Sequence, residues 1–274
     1  MSFSEKLTGA MQKNESLLCI GLDPDPELMP SKMGVLKFNK AIIDATSDLV
    51  CAYKLNLAFY EALDEGIDAL KRTINYIPDN IPVIGDAKRN DIGNTARAYA
   101  KAIFDIFNFD ATTVNPYLGF DSIEPFIEYR DKGIFILCRT SNPGAVDFQS
   151  LRLQTEHGQF PLFEIVALRA AQWNKQGNNI GLVVAATYPE ELKLIRQNHP
   201  NMLLLIPGIG AQGGDLASAV HYGVDARGHG AILSSSRQII YASREGDFAQ
   251  AARRVAFSLR DEINHHRSTL ASAR

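Results

Sequence analysis

The stretch Ile81-Pro-Val-Ile-Gly-Asp-Ala-Lys-Arg-Asn-Asp91 (IPVIGDAKRND) joins a short apolar run to a cluster of charged residues. The apolar part is nearly continuous instead of alternating in polarity, which is typical of parallel strands that are buried on both faces. An amphipathic helical pattern, Asp91–Phe107, follows at once. The stretch therefore predicts one strand–helix unit with charged side chains at the point where the strand ends.

The same unit recurs along the chain. Short runs rich in Ile, Leu and Val predict eight strands, at Leu17–Leu22, Leu49–Leu55, Ile81–Lys88, Ala111–Asn115, Gly133–Arg139, Ile180–Thr187, Met202–Pro207 and Gly230–Ser235. Helical patterns lie between and after these runs, at Lys37–Thr46, Phe59–Tyr76, Asp91–Phe107, Ser122–Arg130, Pro161–Lys175, Pro189–Asn198, Leu216–Tyr222 and Asp247–His265.

Eight strand–helix units in about 250 residues, with no Pro/Gly-rich linker, predict an α/β fold of the (β/α)8 (TIM) barrel type. We expect one domain over residues 1–274, with a helix over about residues 3–13 before the first strand and another over about residues 247–265. A doubly wound open sheet is the alternative, because a count of strands does not establish closure. The segment Asn142–Phe160 is longer than most connections of this kind and is a candidate lid.

The composition is that of an ordinary globular protein. The 274 residues include 28 basic and 31 acidic side chains, a net charge of −3, which argues against a nucleic-acid-binding function. No run approaches the roughly 18 apolar residues of a membrane-spanning helix, and the polar N-terminal segment lacks a secretory pattern. We therefore expect a cytoplasmic protein without a membrane partner. Cys19, Cys51 and Cys138 lie in apolar runs and are interpreted as buried, reduced thiols.

Side chains capable of chemistry stand where the predicted strands end. Because the carboxyl ends of the strands share one rim of a barrel, where the active sites of this fold lie, we expect these side chains to converge. They are Asp23, Lys54, Asp86, Lys88, Asn115, Ser141, the loop Pro207–Gly214 and Arg237.

Asp86 and Lys88 are two positions apart, so on a regular strand they project to the same side. A weak surface ion pair is the alternative interpretation. Asp91 stands where a helix begins and could simply be its N-cap. Lys54 lies in an apolar segment, where a buried lysine needs a carboxylate partner unless its amine extends to solvent. On neighbouring strands, these residues would form an alternating Lys–Asp–Lys–Asp array beside a substrate.

The loop Pro207–Gly214 (PGIGAQGG) is rich in small residues and follows the seventh predicted strand. Together with Arg237 after the eighth strand, it predicts a phosphate site, because this fold binds phosphate there and a guanidinium pairs well with phosphate oxygens. An ordinary glycine turn is the alternative. Asp23 could bind a ribose diol or shape a turn. Ser141 has no partnered base, so it is interpreted as a contact to a base or as a turn residue, and not as a nucleophile.

Taken together, these residues resemble the orotidine 5′-phosphate decarboxylase family, in particular its longer bacterial branch. The resemblance extends from about Gly21 to Tyr241 in the order of the family. It is carried by Gly21-Leu-Asp23, Lys54, Asp86-x-Lys88-x-x-Asp91-Ile92, Thr140-Ser-Asn-Pro-Gly144, Pro207-Gly-Ile-Gly-Ala-Gln-Gly-Gly214 and Arg237.

The resemblance implies conversion of orotidine 5′-phosphate to UMP and carbon dioxide, the last step of de novo pyrimidine synthesis, without a metal or other cofactor. It implies that Lys88 protonates C6, that Asp86 crowds the substrate carboxylate, and that Lys54 and Asp91 complete the array. It also implies a homodimer. The implied substrate contacts are Asp23 and Lys54 at the ribose, Ser141 at the pyrimidine, and Gln212 and Arg237 at the phosphate. Further implied contacts are Asn115, Pro207, Thr95 and Ser236, the last of which is a glycine in many relatives. Thr95 and Asp91 would reach into the partner's site.

Three other functions stay open at this point. A metal-dependent keto-hexulose-phosphate decarboxylase or aldolase of the same superfamily shares the Asp-x-Lys-x-x-Asp pattern, but it carries an acidic metal ligand where this chain has Lys54, whose ammonium would repel a divalent cation. An aldolase that forms a Schiff base would need Lys54 or Lys88 uncharged, which carboxylate partners oppose. A non-catalytic phosphate-binding barrel predicts an eroded charge array, and the sequence retains all four charged residues.

Overall fold

A computed structural model describes residues 1–156, 158–210 and 213–272 of the chain. Its parallel strands form one closed barrel, so the predicted single-domain (β/α)8 barrel is confirmed and the open sheet is excluded. The barrel strands are β1 (Leu18–Gly21), β2 (Ala52–Asn56), β3 (Val83–Arg89), β4 (Ala111–Val114), β5 (Gly133–Arg139), β8 (Ile180–Val184), β9 (Leu203–Pro207) and β10 (Ala231–Ser235). Closure comes from β1, which pairs with both β2 and β10.

Helices surround the barrel in alternation with the strands. They are α1 (Phe3–Lys13), α2 (Val35–Thr46), α3 (Leu57–Glu61), α4 (Gly66–Ile74), α5 (Gly93–Lys101), α6 (Glu124–Ile127), α7 (Leu162–Asn174), α8 (Pro189–Asn198), α9 (Leu216–Gly223), α10 (Arg237–Ile240) and α11 (Phe248–Ser272). A π-helical turn, Ala102–Ile106, prolongs α5, and a 3-10 turn, Phe120–Ser122, precedes α6. Over the described ranges, no helix combines the length and the apolar character needed to cross a membrane.

Three predicted helices have different bounds in the structure. The pattern Phe59–Tyr76 forms two helices, α3 and α4, because the chain turns back so tightly at Gly66 that a Cβ there would lie 1.8 Å from the carbonyl oxygen of Tyr60. The segment Ser122–Arg130 contains only the four-residue α6. The C-terminal helix continues beyond His265 to Ser272, since Leu270 packs against the core and Arg267 Nε donates to the carbonyl of Gly228 at 2.8 Å.

The lower part of the barrel is filled by one apolar residue from each strand. These residues are Cys19, Ala52, Ile84, Ala111, Phe135, Val183, Leu205 and Ile232. Helix α1 closes the amino end of the barrel, where the ring of Phe3 packs edge-on against Phe135 with 5.8 Å between the centroids. Gly133 leaves room for this contact, because a Cβ there would lie 2.3 Å from the Phe3 ring.

The cysteines are buried free thiols, as predicted. Burial raises the pKa of Cys19, inside the barrel, to about 12, so this thiol stays protonated near neutral pH.

The interior becomes polar two residues further along four of the eight strands. Because side chains alternate between the two faces of a strand, the residue two positions after each of the apolar residues that fill the lower barrel also points inward. On seven strands these inner residues are Gly21, Lys54, Asp86, Thr113, Leu137, Pro207 and Ser234. The strands themselves therefore carry a layer of charged and hydroxyl groups at the carboxyl end of the barrel.

The predicted lid segment, Asn142–Phe160, has structure of its own. A 3-10 turn at Pro143–Asp147 is followed by an antiparallel hairpin of β6 (Arg152–Thr155) and β7 (Gly158–Pro161). The side chains of Val146, Phe148, Leu151 and Leu153 are 42–60% exposed on this segment. The hairpin stands outside the barrel sheet, next to the rim that carries the polar side chains.

Candidate active site

A cavity of about 570 Å³ opens at the carboxyl end of the barrel. Eight of the predicted site residues line it: Asp23, Lys54, Asp86, Lys88, Ser141, Pro207, Ser236 and Arg237. The apolar side chains of Leu137, Val183 and Leu205 form part of its wall. The cavity thus offers charged groups from β2 and β3 and an apolar surface from β5, β8 and β9, a combination suited to a flat ring with polar substituents.

Two lysines and two carboxylates meet inside this cavity. Lys54 Nζ lies 3.1 Å from Asp86 Oδ2 and 3.8 Å from Asp23 Oδ1, and Lys88 Nζ lies 2.6 Å from Asp86 Oδ1. The side chains of Lys54 and Asp86 are 9% and 11% exposed, whereas that of Lys88 is 47% exposed. Asp86 is therefore a buried carboxylate between two ammonium groups, of which only Lys88 reaches well into the open part of the cavity.

These contacts keep Asp86 and Lys54 charged. Burial by itself would raise the pKa of Asp86, but the Lys54 and Lys88 ammonium groups and the hydrogen bonds from Lys88 and Thr113 hold it well below its ordinary value. Burial would lower the pKa of Lys54, yet the carboxylates of Asp23 and Asp86 raise it above the ordinary value. Both residues are ionised at neutral pH, and Lys54 is a fixed cation instead of a free amine.

Lys88 reaches Asp86 from an irregular strand. The pairing of β3 with β4 shifts register between Gly85 and Arg89, and Lys88 has a φ of +49°, in the left-handed region. The predicted proximity of Asp86 and Lys88 is confirmed, but the regular alternation offered as its reason is wrong. A bulge that turns the backbone at Lys88 accompanies the contact, and bulges of this kind often redirect a side chain beside an active site.

The residue of β4 that lines the cavity is Thr113, and not the predicted Asn115. The Thr113 hydroxyl donates to Asp86 Oδ1 at 2.9 Å and accepts from the backbone N–H of Lys88 at 3.0 Å. Asn115, the residue that follows β4, accepts from Tyr117 N at 3.1 Å and does not line the cavity, because the chain has already turned away there. The signal for Thr113 was present in the sequence, since it lies two positions after the inward-facing Ala111.

Asp91 and Thr95 lie away from the cavity of their own chain. Asp91 Oδ1 accepts from the N–H of Ile92 at 2.8 Å, and Ile92 is the N-cap residue of α5, so Asp91 is not the N-cap. Thr95 is exposed on the first turn of α5. Within one chain the array consists of Asp23, Lys54, Asp86 and Lys88, and Asp91 does not extend it.

Asp23 is held in place by Tyr241, which follows the last strand of the barrel. The Tyr241 hydroxyl donates to the carbonyl oxygen of Asp23 at 2.8 Å and accepts from the N–H of Asp25 at 2.6 Å. The Asp23 carboxylate accepts from Asn56 N at 3.1 Å. Asn56 also lines the cavity, two positions after Lys54, and was not among the predicted site residues. Burial raises the pKa of Tyr241 to about 12, so its hydroxyl remains a donor.

The predicted phosphate region combines Arg237 with the loop after β9. Gly208 and Gly210 have φ values of +98° and +80°, and a Cβ at Gly210 would lie 1.9 Å from the Gln238 side chain. Arg237 is exposed at the mouth of the cavity and forms no ion pair with any described residue. The Arg237 guanidinium and the backbone N–H groups of the glycines therefore offer hydrogen-bond donors to an anion. Gln212 lies outside the described residues.

Ser236 fits beside Arg237 because of a glycine on the neighbouring strand. Its hydroxyl donates to the carbonyl oxygen of Gly21 at 3.0 Å, and a Cβ at position 21 would lie 2.7 Å from the Ser236 Cβ. Gly21 thus leaves the space that Ser236 occupies, and the two residues join the ends of β1 and β10 directly below the phosphate region.

Comparison with known proteins agrees with this geometry. Residues 16–255 match the model of the family described as "Orotidine 5'-phosphate decarboxylase / HUMPS family". The chain is 54% identical to the orotidine 5′-phosphate decarboxylase of Dehalococcoides mccartyi (strain CBDB1) over 97% of this chain and 99% of that protein. The chain belongs to the orotidine 5′-phosphate decarboxylase family. At this identity over nearly its whole length, it is a carboxy-lyase of that family.

Solved structures of the decarboxylase family share the fold. The orotidine 5′-phosphate (OMP) decarboxylase of Leishmania donovani superposes with a TM-score of 0.84 at 40% identity, covering 97% of this chain and 99% of that one. The UMP synthase of the same organism gives a TM-score of 0.86 at 41% identity over 97% of this chain, which spans 57% of that longer protein. Residues 16–255, the span that matches the family model, include every residue of the cavity described above.

In this member of the decarboxylase family, the lid segment is anchored at its base by Gln149. Its amide accepts from Thr140 N at 2.9 Å and donates to the Thr140 hydroxyl at 2.8 Å. The adjacent Arg139 is fully buried, pairs with Glu191 and lies 3.7 Å from the centroid of the Tyr188 ring. These contacts fix the stretch that presents Ser141 to the cavity, and the Gln149 side chain itself lines the cavity.

Proposed function

We propose that this chain decarboxylates orotidine 5′-phosphate to UMP and carbon dioxide, without a metal or organic cofactor, as the last step of UMP synthesis. The observation that carries the proposal is the contact array of Lys54, Asp86 and Lys88 in the barrel cavity, with Lys88 as its exposed ammonium. The names of relatives at about half identity point to the same substrate.

Lys88 would be the proton donor. Decarboxylation at C6 breaks the bond between C6 and the carboxylate carbon, and the electron pair of that bond stays on C6, where no neighbouring carbonyl delocalises it. The Lys88 ammonium would stabilise this charge and transfer a proton to C6, and the resulting amine would take a proton from water. Its contact with Asp86 at 2.6 Å limits where its amine can lie.

Asp86 would face the substrate carboxylate. Because its pKa is held well below the ordinary value, Asp86 stays ionised beside a second anion, and this proximity is relieved as carbon dioxide leaves. Lys54 and Asp23 would hold the ribose hydroxyl groups, since Lys54 Nζ lies 3.8 Å from Asp23 Oδ1 at the side of the cavity formed by β1 and β2. Ser141, at the base of the lid segment, would contact the pyrimidine.

The phosphate would bind at Arg237 and the loop after β9, with Gln212 and the backbone beside Pro207 and Ser236 as further contacts. An exposed arginine without a described ion-pair partner, next to a glycine-rich loop, supports this assignment. The phosphate lies at the far end of the substrate from C6. Its binding energy can therefore hold the reacting end against the Asp86 carboxylate.

We further propose a homodimer in which Asp91 and Thr95 act in the partner's site. Support comes from their position, since both lie outside their own cavity. The adjoining Ile92, Tyr117 and Leu118 are 52%, 77% and 44% exposed, an apolar surface that a second copy could cover. Light scattering at two protein concentrations measures the mass directly, and a monomer with full activity would contradict this part of the proposal.

The metal-dependent sugar-phosphate reaction fits the cavity less well. Lys54 Nζ lies within 3.8 Å of both Asp23 and Asp86, where an acidic ligand and a divalent cation would otherwise be needed. The described residues contain no group of three or more His, Cys, Asp or Glu side chains arranged to hold a metal ion. A Schiff-base route is disfavoured because the pKa of Lys54 is raised above its ordinary value by Asp23 and Asp86, despite burial.

The deciding experiment follows the ultraviolet absorbance of orotidine 5′-phosphate after purified protein is added, with and without EDTA. We expect rapid loss of absorbance, unaffected by EDTA, with one carbon dioxide released per UMP formed. Loss that EDTA prevents would favour the metal-dependent reaction. An unchanged spectrum from folded protein that still binds UMP would leave a phosphate-ligand-binding barrel and overturn the proposal.

A further inference from the structure

The Thr113 side chain contacts both charged residues of β3. Its hydroxyl donates to Asp86 Oδ1 at 2.9 Å and accepts from the backbone N–H of Lys88 at 3.0 Å. Thr113 is 2% exposed and lines the cavity. One hydroxyl therefore connects the carboxylate of Asp86 to the main chain of Lys88 across the two strands.

The backbone that this hydroxyl supports is unusual. A φ of +49° at Lys88 is costly for a residue with a Cβ, and such conformations persist only where the surroundings hold them. The register shift between Gly85 and Arg89 removes the regular ladder from this stretch. The N–H of Lys88 donates in a partly buried hydrogen bond, and its acceptor is a side chain of β4 instead of a carbonyl.

We propose that Thr113 is a positioning residue, which fixes the Lys88 ammonium relative to the Asp86 carboxylate by holding the left-handed turn of the backbone at Lys88. This inference rests on the proposed function, in which Lys88 donates the proton. Without the hydroxyl, the Lys88 N–H loses its acceptor and Asp86 loses one of three donors. The backbone could then relax toward a regular strand and carry the ammonium away from the carboxylate.

Thr113→Val tests this inference, because valine keeps the shape and lacks the hydroxyl. We expect kcat to fall by about 10- to 100-fold, since a displacement near 1 Å of a reacting group can cost about 10²-fold in rate. The KM for orotidine 5′-phosphate should change by less than about 3-fold, because the phosphate and ribose contacts are made by other residues. Thr113→Ser restores the hydroxyl and should recover most of kcat.

Thr112→Val is the matched control. Thr112 is the neighbouring residue, is fully buried, and donates its hydroxyl to the carbonyl oxygen of Gly85 at 2.9 Å on the other face of the same strand pair. Loss of this hydroxyl should lower the melting temperature and leave kcat nearly unchanged. If Thr113→Val does not fold, Thr113→Cys provides the comparison, since a thiol has a similar size and hydrogen-bonds weakly.

Two results would overturn the inference while leaving the decarboxylase activity intact. One is a Thr113→Val variant with wild-type kcat. The other is a Thr113→Ser variant as slow as Thr113→Val, which would mean that the loss reflects packing and not the hydroxyl. A wild-type protein that does not consume orotidine 5′-phosphate would overturn the proposed function, and the inference with it.

Discussion

The Lys88 ammonium lies 2.6 Å from the Asp86 carboxylate although the pairing of their strand with β4 shifts register between Gly85 and Arg89. The two partners differ in exposure, at 47% for the Lys88 side chain and 11% for that of Asp86. A buried carboxylate held by three donors is a fixed anchor, whereas the lysine on it can still meet a ligand. This asymmetry is what a proton donor requires, because the group must stay charged without losing access to the reacting carbon.

Removal of the Lys88 amine is expected to abolish turnover. Lys88→Ala should lower kcat by at least about 10³-fold, because it removes both the proton donor and the charge that stabilises the carbanion. Binding of UMP should remain measurable, since the phosphate site is separate. Stopped-flow absorbance gives kcat, and calorimetric titration gives the affinity for UMP.

The control for this variant is Lys6→Ala. Lys6 forms an ion pair of 2.8 Å with Asp110 at the amino end of the barrel, far from the cavity. It should retain wild-type kcat even if the protein loses some stability. Turnover by Lys88→Ala within 10-fold of the wild-type rate would contradict the role given to Lys88.

Asp86 should couple the stability of the fold to pH. Asp86→Asn leaves two lysines facing a neutral group, and loss of one partner from a buried ion pair costs about 3–5 kcal/mol in the free energy of unfolding near pH 7. The pKa of Asp86 is depressed in the folded protein, despite burial, by Lys54, Lys88 and Thr113. Its stabilisation is therefore complete above its ordinary pKa of 3.8 and is lost as pH falls toward the lower folded value.

Urea unfolding at pH 7, 5 and 3.5 measures this effect. The wild type should lose more stability than Asp86→Asn between pH 5 and 3.5, so that the two curves converge in acid. Asp68→Asn is the control, because its ion pair with Arg72 is 62–67% exposed and should contribute little at any pH. Parallel curves for the wild type and Asp86→Asn would show that Asp86 titrates alike in the folded and unfolded protein.

Arg237 should act through the substrate phosphate alone. Arg237→Ala is expected to raise the KM for orotidine 5′-phosphate by about 100-fold, the effect of losing roughly 3 kcal/mol of charge-assisted hydrogen bonding. With orotidine, which lacks the phosphate, the same substitution should change kcat/KM by less than about 3-fold. The two substrates and two proteins form a cycle that isolates the contact between the guanidinium and the phosphate. An equal loss with both substrates would place Arg237 elsewhere in the mechanism.

The sequence predicted the strands well because each one is a continuous apolar run that is buried on both faces. A count of strands could not establish closure of the barrel, because closure depends on the pairing of β1 with β10, at opposite ends of the chain. Lys54 and Asp86 were found because a charged side chain in an apolar run is conspicuous.

Thr113 was missed because a threonine in a strand is ordinary. The inward alternation from Ala111 includes both Thr113 and Asn115, but β4 ends at Val114 and Asn115 lies in a turn. The left-handed backbone of Lys88 could not be anticipated either, since nothing local requires it. It depends on a hydroxyl that β4 supplies, so the relevant signal lies 25 residues away in the sequence.

Asp91 offers a test of the proposed dimer that needs no structure of the complex. Asp91→Ala and Lys88→Ala should each be nearly inactive as homodimers if Asp91 acts in the partner's site. A mixed dimer then contains one site with both residues, Lys88 from one subunit and Asp91 from the other, and one site with neither. Random exchange should therefore restore about a quarter of the wild-type activity, since half of the dimers are mixed and each has one intact site.

The outcome separates the two possible locations of Asp91. If Asp91 acted in its own chain's cavity, every site in the mixture would lack one residue or the other, and mixing would restore nothing. Mass spectrometry of the intact mixture confirms that subunits have exchanged, and a mixture of Lys88→Ala with Asp86→Asn is the control that must stay inactive, because both positions lie in one chain's array. Exchange without recovered activity would refute the role of Asp91 across the interface.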